Sequence, residues 1–332
     1  MAKSSFNATN HLHAMLQEMA TAVDSIIPAG TKKAMANTGT SVDKRFAYLM
    51  NATSVPERQV MFLYAQSRLI ALEQKLSKMT SAPSPYELKR FTTEFLTLCL
   101  LSTGTTANTA GSVSTKHHWL PVCYQRGFIT DSTAVRSSLK LKYVNFVTKD
   151  GKIIARSNDG YANRMFVHSA HENGKSGFYP QRTELFFSRV EGYYSDARLA
   201  EKSNAWVETM LYAFWVVQFI RTPDKLVDGK GEFFAHNRGM FARLFAAVDR
   251  FTTPWVKVVD RLENLKFCPL FPHRGRFTTR TGMACVFPIS STRGVVISEK
   301  AVSTDVARRT VQSTQEVMKA RARQNSSSLF GY

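Results

Sequence analysis

Three sets of residues in this chain have the types and spacings that chemistry needs. The first is His118, Arg126, Glu184, Glu191, Gln218 and Arg221. Glutamates seven residues apart share one helix face two turns along, so with a histidine they could hold a divalent ion or a water. Two arginines beside them could neutralise a pentacoordinate phosphate, and the set would then be a phosphodiester hydrolase using Mg²⁺ or Mn²⁺. The competing use is structural. Buried charges require partners, and Arg126 and Arg221 could pair with Glu184 and Glu191 to lock a domain together. No nuclease signature accompanies these residues, so the balance leans away from an enzyme, with no cofactor and no resident metal expected.

The second and third sets are cationic. Lys140, Lys142, Tyr143, Lys152 and Arg156 fall on a segment that alternates like a strand on both sides of Asp150-Gly151, a turn pair, and so form a basic hairpin. From Asn264 to Ser298 no acidic residue occurs, while Arg274, Arg276, Phe277 and Arg280 interleave basic and aromatic character. Arg308 and Arg309 add to a basic, helix-permissive tail. Lysine and arginine neutralise phosphates and release counterions, and exposed Tyr or Phe can stack on unpaired bases.

Other fragments are weaker. His168-Ser169-Ala170-His171-Glu172 has metal-ligand spacing only if helical, and its Asn-Gly-Lys-Ser-Gly sequel favours a loop. The Gly-Lys-Ser fragment lacks the upstream glycine of a phosphate loop. Cys99, Cys123, Cys268 and Cys285 are scattered and form no CxxC pair, which indicates inert thiols rather than a zinc ribbon or a disulfide framework.

The elements that must position these residues follow from periodicity. The chain has 332 residues, 44% hydrophobic, enough for one large or two ordinary domains. Apolar residues at helical spacing predict helices over Asn10–Ile27, Val55–Met79 and from Pro85 to Leu101, the second carrying Leu63, Leu69, Leu72 and Leu76 in its stripe. Residues 1–102 are therefore expected to form a helical module that could join two copies of the chain. Small and turn-forming residues over 103–116 read as a linker, 117–298 as a mixed basic domain and 299–332 as a basic helical tail.

Within the mixed domain a helix is expected from Arg182 to Lys202 with Leu185, Phe186, Val190 and Leu199 inward. A second, capped by Asn204 and apolar nearly all round, runs to Phe219, and others span Glu232–Phe251 and Trp255–Leu265. Short strands fit Met283–Phe287 and Val295–Ser298. The fold class is α+β, a helical N-terminal module followed by a mostly helical domain with a small hairpin or sheet. The longest apolar run, Trp206 to Ile220, contains Glu208 and Gln218 and is too short to span a bilayer, and the N-terminus has no secretory pattern, so a cytoplasmic protein without membrane contact is expected.

His118-Trp119-Leu120-Pro121-x-x-Tyr124-x-Arg126-x-Phe128 resembles the opening signature of an uncharacterised bacterial and phage domain family. Gln218-Phe219-Ile220-Arg221-Thr222-Pro223 is similar to its Gln-x-x-Arg-Thr-Pro motif, and Phe287-Pro288-Ile289-Ser290 to its late Pro-Leu-Ser element. The resemblance runs from about His117 to Ser298. It departs at Gln125, where Leu is usual, and in the long helical N-terminal addition. It implies a mixed α and β domain and a phage-encoded protein acting in the host cytoplasm, and it carries no activity.

Net charge of +19 and a pI near 9.9 point to a polyanionic partner. From His117 onward 32 Lys and Arg face 18 Asp and Glu, so +14 of the surplus lies there. No helix-turn-helix or zinc finger is apparent, which favours RNA or another single-stranded nucleic acid over duplex DNA. A metal-dependent nuclease and a structural, shell-associated protein are the alternatives.

Overall fold

The computed structural model describes residues 7, 8, 10, 11, 14, 15, 55–103, 117–118, 121–128, 144–147, 153–156, 167–168, 179–220, 244–263, 265, 276–279 and 282–324. Six helices and eight strands are traced there. They are α1 (Val55–Lys78), α2 (Pro85–Leu101), β1 (His117–His118), α3 (Val122–Gln125), β2 (Val144–Val147), β3 (Ile153–Arg156), β4 (Val167–His168), α4 (Tyr179–Leu199), α5 (Ala205–Ile220), β5 (Trp255–Val259), β6 (Arg276–Thr279), β7 (Gly282–Pro288), β8 (Gly294–Ser298) and α6 (Thr304–Gln324). The class is α+β, mostly helical with antiparallel sheet, as the periodicities require. No described helix is long and apolar enough to cross a membrane.

Helix α2 starts where its sequence says it should. The Ser84 hydroxyl accepts from the Glu87 backbone N–H at 3.3 Å and the Glu87 carboxylate accepts from the Ser84 N–H at 3.0 Å, a reciprocal cap with Pro85 as first helical residue. The Ser84 N–H, together with the Ser84 hydroxyl donating at 2.8 Å, holds the Glu87 carboxyl below its ordinary pKa. Asn204 caps α5 as expected, its side chain accepting from the Val207 N–H at 2.9 Å.

Helix α5 is the centre of the main core. Apart from Trp206, half-buried at its first turn, it is buried over its whole length and packs against α4, α2 and α1. Phe214 stacks on Tyr194 of α4 at 3.7 Å between ring centroids, and Trp215 lies edge-on to Phe251 at 5.2 Å. The Tyr212 hydroxyl donates to the Val248 carbonyl at 2.8 Å, so this phenol is buried with its hydrogen bond satisfied. Because Ala65, Leu69, Leu72 and Leu76 of α1 and most of α2 belong to this same core, the module expected over 1–102 is not a separate hydrophobic unit.

Strands β5-β8-β7-β6, in that order, form an antiparallel sheet. Alternation along it sorts side chains to two faces. Val256, Val258, Cys285, Phe287, Val295 and Ile297 join the α5 core, whereas Val259, Val286 and Val296 meet Ala307 and Val311 of α6 on the other side. Gly294 makes the second contact possible, since a Cβ there would stand 2.8 Å from a Val311 methyl. The C-terminal segment is thus a packed layer over Thr304 to Gln315 rather than a loose tail.

The helix expected over Trp255–Leu265 is a correction: Trp255–Val259 is a strand, paired with β8 from Trp255↔Ser298 to Val259↔Gly294. Trp-Val-Lys-Val-Val is rich in β-branched residues and alternates in burial at period two at its start, which the helical reading overlooked. Two inward assignments also fail. Leu63 is 57% and Leu199 65% exposed. Each lies two residues from an inward one, Ala65 or Ala197, and a helix turns about 200° over two residues.

The hairpin is formed, β2 pairing with β3 from Val144↔Arg156 to Val147↔Ile153. Most of the helix expected over Asn10–Ile27 and of that over Glu232–Phe251 lies outside the described residues, as does the expected linker after Thr103; residues 244–248 are helical.

Candidate nucleic-acid interface

The described part of the opening motif packs into the core. After β1, which pairs with β4 in the register His117↔His168, the chain turns through α3 and a 3-10 helix, Arg126–Phe128. Tyr124 is fully buried, 6.2 Å from Phe214 and 5.6 Å from Phe128 between centroids. Gly127 closes onto the turn after β7, where a Cβ would lie 2.0 Å from the Ile289 carbonyl oxygen, and its own carbonyl accepts from the Ser291 N–H at 3.2 Å. Only glycine fits. Two of the three motif pieces are therefore joined through backbone.

Gln218, from the third piece, is fully buried one turn after Phe214 and does not line an open site. Among the described residues neither amide atom has a hydrogen-bond partner, a cost of about 1–3 kcal/mol for each buried group left so. Glu184 and Glu191 do share α4, and Glu191 is half-buried. The side chains of His118, Arg126, Glu184 and Arg221 lie outside the described residues. Among the described residues no group of three His, Cys, Asp or Glu could hold a metal ion. Cys99, Cys123 and Cys285 are buried and form no disulfide among the described residues, and burial pushes the Cys99 thiol far above its ordinary pKa.

Of the expected cationic contacts, the described elements carry Arg156 at the end of β3, Arg276 and Phe277 on β6, and Arg308 and Arg309 on α6. Strand β6 is the sheet's edge. Arg309 is exposed, whereas the Arg308 guanidinium donates to the Arg261 carbonyl at 3.0 Å, at a turn where Arg261 adopts φ 56°. Lys319, Arg321 and Arg323 occupy the last turns of α6, beyond its contact with the sheet core. Lys140, Lys142, Tyr143, Lys152, Arg274 and Arg280 lie outside the described residues.

Not every cation in the acid-free run is available. Arg293 pairs with Asp260 through Nε, and its Nη1 donates to the carbonyls of Arg198 at 2.8 Å and Ala200 at 2.7 Å. That guanidinium ties the β7–β8 turn to the end of α4. Lys89, buried, is similarly committed to Asp249 at 2.9 Å.

Three features escaped the sequence reading. One is Glu208, counted there only as an interruption of an apolar run; it is 9% exposed, and burial raises its pKa to about 7 against a hydrogen bond from Ser203 and the charge of Lys257, both of which lower it. Another is Arg293, just described. The third is an open cleft of about 390 Å³ along α4, lined by Ser102, Thr103, Leu185, Ser188, Arg189, Gly192, Tyr193 and Asp196. A glycine in the middle of a predicted helix was the available signal for it. No protein-family model, curated protein or solved structure matches the chain.

Proposed function

We propose that this chain binds nucleic acid, with single-stranded RNA preferred, through cations of its sheet and terminal helix. One observation carries the reading: 44 Lys and Arg face 25 Asp and Glu, so a net charge of +19 remains however these groups pair in the fold. The residues that do pair internally, Arg293 and Lys89 among them, consume carboxylates without reducing that surplus. A surplus of this size in a protein with a well-filled core favours contact with a phosphate chain, where each neutralised phosphate releases counterion. Arg276 and Phe277 are consecutive residues of an edge strand, and an aromatic residue next to a cation in the sequence suits unpaired bases more than a duplex.

Self-association through the N-terminal helices belongs to the same proposal and is supported by Leu63 and Ile70, exposed seven residues apart on α1.

Fluorescence anisotropy with equal lengths of labelled single-stranded RNA, single-stranded DNA and duplex DNA tests the reading. Tightest binding to RNA is expected, weakened about ten-fold or more by jointly reversing Arg274, Arg276 and Arg280 to Glu, since each is assigned a phosphate contact. Equal affinity of the triple variant would defeat the assigned interface. Cleavage of the RNA in Mg²⁺ or Mn²⁺, abolished by His118→Ala, would establish the hydrolase instead.

A further inference from the structure

The cleft along α4 has no part in the cationic interface, yet it is built with unusual economy. Leu185, Ser188, Arg189, Gly192, Tyr193 and Asp196 recur at three and four residues, so one helix face forms its floor. The opposite face, Phe186, Phe187, Val190, Tyr194 and Ala197, is sealed in the core. Arg189 is half-buried beside the Gln66 side-chain amide, and with that amide turned so that its oxygen faces the guanidinium, the oxygen accepts from both terminal nitrogens at 3.2 Å. A neutral amide fixes that guanidinium without cancelling its charge. Among the described residues no carboxylate pairs with it.

Gly192 is the second clue. Glycine inside a helix is unfavourable, and here a Cβ would meet nothing within 4 Å, so packing does not require it. What its absence of a side chain does is keep the floor open between Arg189 and Asp196. Those two residues are seven apart, about 10 Å along the axis at 1.5 Å per residue. An amino acid, whose charges sit roughly 3 Å apart across one carbon, cannot bridge them. A nucleoside monophosphate can, with its phosphate on Arg189 and a ribose hydroxyl or base amine donating to Asp196. The half-buried Tyr193 ring, set edge-on to Phe95 at 5.1 Å, offers the sugar or base an aromatic wall. A volume of about 390 Å³ is of the right size for one such molecule.

We propose that the α4 cleft is a binding site for a single ribonucleotide, its phosphate held by Arg189 over the open floor at Gly192 and its hydroxyl or amine donors taken by Asp196. The site is separate from the interface for a nucleic-acid chain, and either can fail without the other.

Titration calorimetry on the full chain tests it with AMP, CMP, GMP and UMP, their 2′-deoxy counterparts and inorganic phosphate. At least one ribonucleotide should bind with Kd below about 1 mM, and inorganic phosphate at least about ten-fold more weakly. Gly192→Leu should fill the floor and abolish that heat without lowering Tm, while leaving affinity for an RNA oligomer unchanged. Arg189→Met should weaken binding about ten-fold, as expected for a lost charge-assisted contact, with Arg189→Lys retaining part of it. Asp196→Asn, on the exposed rim, should reduce preference among the nucleotides. No heat with any nucleotide, equal binding of inorganic phosphate, or nucleotide binding that survives Gly192→Leu would each overturn the proposal.

Discussion

The two faces of the four-stranded sheet are covered by different kinds of layer. On one, α5 brings aromatic rings and almost no charge, and its neighbours α1, α2 and α4 extend the same core. On the other, α6 contributes Ala307 and Val311 to a small aliphatic cluster while its exposed side and far end carry cations. The larger core lies on the first side, and the proposed phosphate contacts Arg308 and Arg309 belong to the helix on the second. The difference explains why an antiparallel sheet, which commonly keeps one face wet, is buried on both over 284–288 and β8 here: the thin α6 layer covers that part and leaves Arg309 exposed.

If that contrast is right, truncations on the two sides should not cost the same. Trp215→Ala, which opens a large cavity in the α5 core, should destabilise by about 3–5 kcal/mol in denaturant unfolding. Arg293→Met, which leaves Asp260 and the carbonyls of Arg198 and Ala200 without their donor where the two sides meet, should cost about 2–4 kcal/mol. Val311→Ala on the thin side should cost about 1–2 kcal/mol, because it removes only two methyl groups from a small aliphatic cluster. Equal losses at Trp215 and Val311 would erase the distinction.

Glu208 sharpens the comparison through pH. Its pKa is raised from 4.5 to about 7 in the folded chain, so between those values the folded state binds more protons than the unfolded. Its contribution to stability is therefore full below about 4.5 and lost as pH rises through about 7. Glu208→Gln should flatten that part of the stability–pH curve and gain about 1–3 kcal/mol at pH 8. An unchanged slope between pH 5 and 7 would remove Glu208 from the account.

Much of the architecture was legible before any coordinates. Pro85, Asn204, and the all-round apolar run of α5 announced their elements because helix starts and burial act locally. Strands β7 and β8 were equally plain. What failed depended on tertiary choice. Trp255–Val259 contains residues that satisfy a helix or a strand, and the partner β8, nearly forty residues away, decides between them. Leu63 and Leu199 sit on apolar-looking stripes whose true centre only packing fixes.

The expected catalytic set fared differently from its neighbours. Tyr124, Phe128 and Gln218 turned out to be interior, joined to the sheet through Gly127, whereas the open face of α4 belongs to Arg189, Gly192 and Asp196, between and beyond the two glutamates that drew attention. Spacing alone named the helix but could not point to the cleft face, since several stripes of one helix fit a seven-residue interval.

The most direct test is the salt dependence of RNA affinity. Anisotropy titrations between 50 and 300 mM KCl should give a linear fall of log K with log salt, with a slope of about −4 to −6 if six to eight phosphates are neutralised at roughly −0.7 each on a single strand. A slope near zero, or no binding at the lowest salt, would contradict the claim that the unmatched cations meet a phosphate chain.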